Sequence, residues 1–458
     1  MQPLRAIIWT LRIALPKVGV GWMFALLTID FTRVAIFELG IAAIIVTALL
    51  SIHYFMAPFQ VVIGRIADCR PLFGMRRTPY LLMGSLGASL LFLALPSVTI
   101  AMGSGSVLAM LGAIVLFTLF GLAMAVIADT YHSLLAEVTT KETRGAVVGT
   151  VWILMIISTI VAAQVMNMMR PEFTPEAMQS LYNLTPFVVM GCTILGILGM
   201  EKRQSPRQLE RARLHARSLA PPGNPLTSAL RLLRANRAPR AFFAFIFLSI
   251  FAIFLQENII EVFGAEVFGM SIKETTTFQQ IWGGGVLVGM LFTIVISLAM
   301  KPSRKKLVLI GCSGSALAFA MLGLISVLEV EAMVKPTLFV MGLMIGIFNV
   351  GALSLMMEMT VEGATGMYMG LWGTAQALGM GASSLASGAL HTGLIGSGLL
   401  QAKFAYFGIF LVEGIALIAA GMILYRVSVT GFVQSASKPV ESAREQAVAM
   451  PVGAPASA

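Results

Sequence analysis

The sequence predicts an all-α polytopic membrane protein of twelve transmembrane helices arranged as two six-helix halves. Three observations predict it. Of 458 residues, 58% are hydrophobic and 11% charged, whereas soluble domains carry about 25% charged residues. Apolar runs of about 20 residues, the length that crosses a bilayer as a helix, recur from end to end. A polar stretch at 201–240, the longest in the chain, parts six runs from six.

The runs fall at about 18–39, 40–63, 78–98, 107–130, 145–167 and 182–200, giving an N-terminal half over 18–200. A second set at 241–262, 278–300, 306–328, 337–359, 366–390 and 403–427 gives a C-terminal half over 241–427. Residues 1–17 carry Arg5, Arg12 and Lys17 and no cleavage site after a short apolar core, so a signal peptide is not expected. Arg5, Trp9 and Arg12 on one side, with Leu4, Ile7, Ile8 and Leu11 on the other, predict an interfacial amphipathic helix. The segment 201–240 holds ten basic residues, two acids (Glu201 and Glu210) and the linker-like Ala220–Pro225. Gln204–Ser218 within it fits a basic helix on anionic lipid. Residues 428–458 are expected to form a disordered tail.

The net charge of +10 follows membrane topology. With the N-terminus in the cytoplasm, 26 of the 31 Lys and Arg residues lie on the cytoplasmic side and 5 on the other. That is the positive-inside distribution, so no nucleic-acid partner is expected. Cys69, Cys192 and Cys312 have no metal-ligand spacing.

The halves repeat each other. SLLAEVTTKETRGAVVG (133–149) aligns without gaps on SLMMEMTVEGATGMYMG (354–370), with Glu137 on Glu358 and Gly149 on Gly370. Span one ends Glu38-Leu39-Gly40, and span seven ends Glu261-Val262-Phe263-Gly264 at almost the same offset. Two coincidences at matching spans indicate a parallel duplication. Between spans two and three, Gly64, Asp68, Gly74, Arg76 and Arg77 resemble the loop motif of the major facilitator superfamily, which has this twelve-span plan. In that motif the Asp accepts from helix-terminal donors and the Arg pair holds carboxylates of a neighbouring helix.

The candidate chemistry is intramembrane and polar. Span one carries Asp30 and Arg33 at i, i+3, close enough to pair along a helix, then Glu38. Span seven carries Gln256, Glu257, Asn258 and Glu261. Carboxylates at membrane depth demand a partner or a function. The functional reading is a proton site or polar clamp in which Arg33 also answers Glu257 or Glu261; the plain one is a paired, wet helix end. Span eleven sets Gly366, Gly370, Gly373, Ala377, Gly381, Ser384 and Gly388 at helical steps, with Trp372 and Gln376 among them. This is a helix-packing face or a smooth groove for a flat macrocycle or a partner helix. His53 in span two and His132 near the inner end of span four are candidate magnesium ligands, or hydrogen-bonded structural residues. There is no phosphate-binding Gly-rich loop leading into Lys, no Ser/His/Asp arrangement and no metalloprotease spacing, so an enzyme is not expected. Span five also lacks the Gly-Pro element of the superfamily's drug/proton antiporters.

A narrower resemblance follows from Arg33, Glu38-Leu39-Gly40, Pro58-Phe59, Gly64, Asp68 and Gly74–Tyr80. Gln256-Glu257, Glu261, Gly264, Phe268–Ser271, Thr275-Thr276, Gly366, Gly370, Trp372-Gly373 and Gln376 continue it in order. Together these residues resemble the PucC/LhaA group, the bacteriochlorophyll-delivery branch of the superfamily. Two departures stand out: Val262 where that group usually has Pro after the span-seven glutamate, and Arg70 where a His commonly follows the cytoplasmic Asp.

The resemblance implies assembly of light-harvesting complexes, with (bacterio)chlorophyll bound transiently for nascent antenna polypeptides. Its implied partners are those polypeptides, the pigment, pigment-synthesis enzymes and the lipid bilayer. Its implied location is a bacterial cytoplasmic or intracytoplasmic photosynthetic membrane, with both termini cytoplasmic. It makes the span-one and span-seven polar residues a latch or pigment contact. The alternative is a proton-coupled small-solute transporter using Glu257, Glu261, Asp30 and Arg33.

Overall fold

The computed structural model describes the backbone of residues 3–428, except 58, 61–62, 64–65, 68–69, 171, 206, 208–232, 234–236, 301 and 360–364. Gly64 and Asp68, most of the central segment with its expected surface helix, and the expected disordered tail after 428 therefore lie outside the described residues.

Among the described residues, ten helices are long and apolar enough to cross a membrane. The other two expected spans are present as Ala43–Phe55, which is shorter, and the Gly- and Ser-rich Thr365–His391. Besides span one, the remaining spans, in chain order, are Thr78–Gly103, Val107–Val138, Lys141–Met169, Pro175–Tyr182 with Thr185–Ile197, Arg237–Leu255 with Ile260–Phe268, Ile272–Met300, Arg304–Leu328, Val334–Glu358 and Ala402–Arg426. An α-helix satisfies its own backbone polar groups, which the bilayer interior requires.

The N-terminal segment differs from expectation. Pro3–Ala25 is one helix that continues into span one, so the first residues extend that span and no separate surface helix precedes it. Arg12 ties this helix to the first half: its guanidinium donates to the carbonyls of Leu195 and Leu198 (2.6 Å for Leu198) at the end of span six. A cation there neutralises the negative end of the helix and satisfies carbonyls left without intrahelical partners.

Two hydrophobic cores form, one per half. The first is built around Phe31, Phe92, Phe117 and Tyr131. The second is built around Phe242, Phe263, Phe348, Trp372 and Phe410. Val262, standing where a proline was expected, belongs to span seven yet packs into the N-terminal core. Spans eight and ten interlock through Gly285, Gly289, Gly342 and Gly346. A Cβ on any of them would strike the other helix's backbone. Such contact is the source of helix association where lipid offers no hydrophobic drive.

Candidate functional site

Spans one and seven both depart from α-helix at the depth where their polar residues sit. In span one, Leu26–Phe31 and Val34–Glu38 are π-helical. The Thr32 hydroxyl donates to the Thr28 carbonyl at 2.5 Å, a back-bond that loosens the local ladder. Span seven stops at Leu255 and restarts at Ile260. Across the break, Glu257 N–H donates to Phe254 O at 3.3 Å and Ile259 N–H to Gln256 O at 3.0 Å, short-range bonds that tighten the chain. No proline is needed. An interrupted helix inside a membrane persists only where protein or a cavity encloses it, and Gln256 and Asn258 are both buried.

The break opens onto a small cavity lined by Gln256, Glu257, Phe278, Gln279, Trp282 and Met341, with room for a water or two. Gln256 Oε1 and Trp282 Nε1 are buried there without hydrogen-bond partners among the described residues. Glu257 is half-buried, with the Tyr54 hydroxyl of span two within electrostatic reach.

Arg33 joins the halves, though not as spacing predicts. Its guanidinium donates to the backbone carbonyls of Glu261 and Met270, both at 3.3 Å, and to Glu38 Oε1 at 3.4 Å. It also lies 4.2 Å from the Phe37 ring centroid. The expected contact with a span-seven carboxylate is therefore corrected to a contact with its main chain. Glu261 is 2% exposed and in the first turn of Ile260–Phe268, where the helix dipole favours an anion. The expected Asp30–Arg33 pair is also absent. Asp30 is instead ion-paired with Arg170 at the end of span five, both side chains being buried. The wide π turns move i, i+3 neighbours apart, freeing Arg33 to face span seven.

The histidines have different settings. His53 Nδ1 is 2.5 Å from Leu50 O, and its ring packs on Tyr54 and Phe120. When Nδ1 donates to that carbonyl, Nε2 carries the free lone pair, the arrangement in which histidine ligates a metal. His132 is exposed beside Tyr131.

The small-residue face of span eleven divides. Toward its C-terminal end, Ser384 donates to Thr47 O at 3.0 Å, Ser51 donates to Gly381 O at 3.3 Å, and Gly388 abuts span two. Trp372 is fully buried, its Nε1 donating to Met359 O at 3.1 Å, while Gln376 contacts Met356 Sδ at 3.6 Å. Gly373 is exposed, and a methyl added to it would meet nothing within 4 Å. Gly366 and Gly370 lie in the helix, and nothing further is described around them.

On the basic side, Arg76 and Arg77 hold Glu137 at 3.3 and 3.1 Å. Gly74 takes a left-handed φ of 78°. Glu201 accepts from the backbone N–H groups of Arg76, Arg77 and Thr78 at 2.6, 3.1 and 2.6 Å, capping span three.

Residues 31–432 match the family described as PUCC protein. The chain belongs to the PucC protein family. Among its curated relatives, the "Bacteriochlorophyll synthase 44.5 kDa chain" of Rhodobacter capsulatus is 30% identical, over 82% of this chain and 85% of that protein. "Protein PucC" of the same organism is 24% identical over 90% of each. That of Rhodovulum sulfidophilum is 26% identical over 81% of this chain and 82% of its own length. Among solved structures, a D-xylose-proton symporter superposes with a TM-score of 0.68 at 16% identity, covering 91% of this chain and 97% of its own. A point mutant of the nucleoside transporter NupG gives 0.63 at 13%, covering 92% and 99%. At those identities the likeness shows the fold, that of the major facilitator superfamily.

Several residues that complete this PucC-family architecture are not marked as site residues by the sequence. Arg170 reads there only as an outer-side charge. Glu266, which no pattern marks, accepts from the Tyr406 hydroxyl at 2.8 Å and meets His391 Nε2 at 2.9 Å. Glu413 lies fully buried in span twelve, and neither carboxylate oxygen has a hydrogen-bond partner among the described residues. A lone acid in an apolar run is the available signal for Glu413. The others are long-range pairs that spacing does not reveal.

Proposed function

We propose that this PucC-family protein handles (bacterio)chlorophyll for nascent light-harvesting polypeptides, and does not itself synthesise the pigment. The family match over residues 31–432 carries the reading. The name of the Rhodobacter capsulatus relative adds a bacteriochlorophyll connection. The geometry supports it through His53, whose Nδ1 contact with Leu50 O leaves Nε2 for a magnesium ion, and through the open surface at Gly373. A phytylated macrocycle is already dissolved in the bilayer, so the protein need only offer an apolar flank and one ligand. Its partners are antenna polypeptides and the enzymes that make the pigment. Its termini and basic loops face the cytoplasm.

The absorption spectrum of protein purified gently from a phototroph tests this. A near-infrared band that His53→Ala abolishes, while His132→Ala and Glu261→Gln retain it, is expected. A colourless protein that co-purifies with antenna polypeptides makes it a scaffold without pigment.

A second reading, proton-coupled solute transport, is favoured by one observation: Glu257 lines a cavity at a helix break. Solute uptake driven by a proton gradient, and lost in Glu257→Gln, would replace the pigment reading.

A further inference from the structure

The loop entering span three presents an aromatic ring in an unusual way. Leu72 and Met75 exchange both backbone hydrogen bonds, each 2.9 Å, which closes a two-residue turn on Phe73 and Gly74. Both take positive φ, 52° and 78°. This is the geometry that Asn-Gly or Gly-Gly adopt freely, and a bulky residue there is strained. The turn is also braced from both sides. Gln204 N–H donates to Gly74 O at 2.9 Å, and the Tyr80 hydroxyl donates to Arg70 O at 2.7 Å. Glu201 fixes the three amides that follow the turn. All this holds out a phenyl ring that is 81% exposed.

What the ring meets follows from its position and from charge. Span three starts at Thr78, five residues after Phe73, so the ring stands at the edge of the bilayer. Arg70, Lys202 and Arg203 are exposed nearby, and Arg203 Cβ approaches Gly74. Residues 65–77 contain four arginines and one aspartate. An exposed aromatic ring on a loop rich in cations, next to the start of a membrane span, matches anionic headgroups above and acyl chain below.

We propose that Phe73 is an interfacial anchor, its ring seated at the headgroup–acyl boundary of the leaflet on the basic side, with Arg70 and the 202–203 pair on anionic headgroups. The anchor sets the depth of the loop that launches span three.

The full-length protein in vesicles tests this. A Phe73→Trp variant, read as the difference from wild type, should add blue-shifted emission in phosphatidylglycerol bilayers. Lipid brominated on the upper acyl chain should quench it severalfold more than aqueous iodide does. Red-shifted emission quenched by iodide puts the ring in water and overturns the proposal. Emission shielded from both quenchers puts it against protein and does the same, as does equal insertion in pure phosphatidylcholine for the anionic part. Phe73→Asn, which suits the turn, should melt in detergent no lower than wild type yet lose the added stability that wild type gains in phosphatidylglycerol. Retention of that gain would also overturn it.

Discussion

Two buried arginines organise the side of this protein away from its basic loops by different means. Arg33 is 3% exposed and spends its donors on two carbonyls of the other half and on one partly exposed carboxylate. Because it meets the main chain of Glu261, removing that carboxylate leaves its bonds in place. Arg33→Ala and Glu261→Gln share no side-chain hydrogen bond, so a thermal-unfolding cycle should find them coupled only through the attraction of their charges, well short of a bonded ion pair. Arg170 and Asp30 are the opposite case, a sequestered ion pair within one half. Breaking such a pair from either side costs about 3–5 kcal/mol, because the surviving charge stays buried. Arg170→Leu and Asp30→Asn should each lower the melting temperature sharply, and the double variant should fall well short of their sum. Glu413 gives a third expectation. A buried carboxyl without partners works against folding, so Glu413→Leu should leave the melting temperature unchanged or raise it. A sharp fall would mean that the carboxyl is used.

At the scale of elements, the interlocked glycines of spans eight and ten leave no room for side chains. Gly342→Val or Gly346→Val should force the helices apart and reduce the folded yield on size exclusion. Gly373→Ala, which meets open space, should have no effect on it. Sequence anticipates the packing role of small residues at Gly381, Ser384 and Gly388, because a periodic stripe is a local pattern. It also locates the span-seven polar cluster, since polar residues in an apolar run announce themselves. The backbone around those residues is less legible. Nothing in Leu26–Phe31 or Val34–Glu38 marks a π turn, and Val262 argues for a softer break than the one found at 256–259. Those turns in turn undo the i, i+3 logic for Asp30 and Arg33. Asp30 and Arg170 are 140 residues apart, beyond any spacing rule.

At the scale of the whole molecule, the twelve-span, two-half plan is readable because hydropathy and duplication are global signals. The seam between the halves is not. Among the described residues, hydrogen bonds across it run from Arg33 to Glu261 and Met270, from Ile44 to Thr392, from Ser384 to Thr47, from Ser51 to Gly381, and from Gln279 and Gln280 to Thr159 and Gln164. Most of them lie toward the ends of the spans farthest from the basic loops, and the Ser51–Gly381 bond lies near mid-span. Cysteines replacing Gln164 and Gln280, whose side chains touch at 2.9 Å, should be joined rapidly by a short bifunctional maleimide in the native protein. Proteolysis within 201–240 followed by a denaturing gel reads the result. Failure to link would show that these span ends stand apart.

Every acceptor in those bonds between the halves is a carbonyl, amide or hydroxyl oxygen, and the one charged donor is the guanidinium of Arg33. None of these groups gains or loses a proton between about pH 5 and 9. This part of the seam is therefore indifferent to acidity, and a proton entering the cavity at Glu257 would leave it standing.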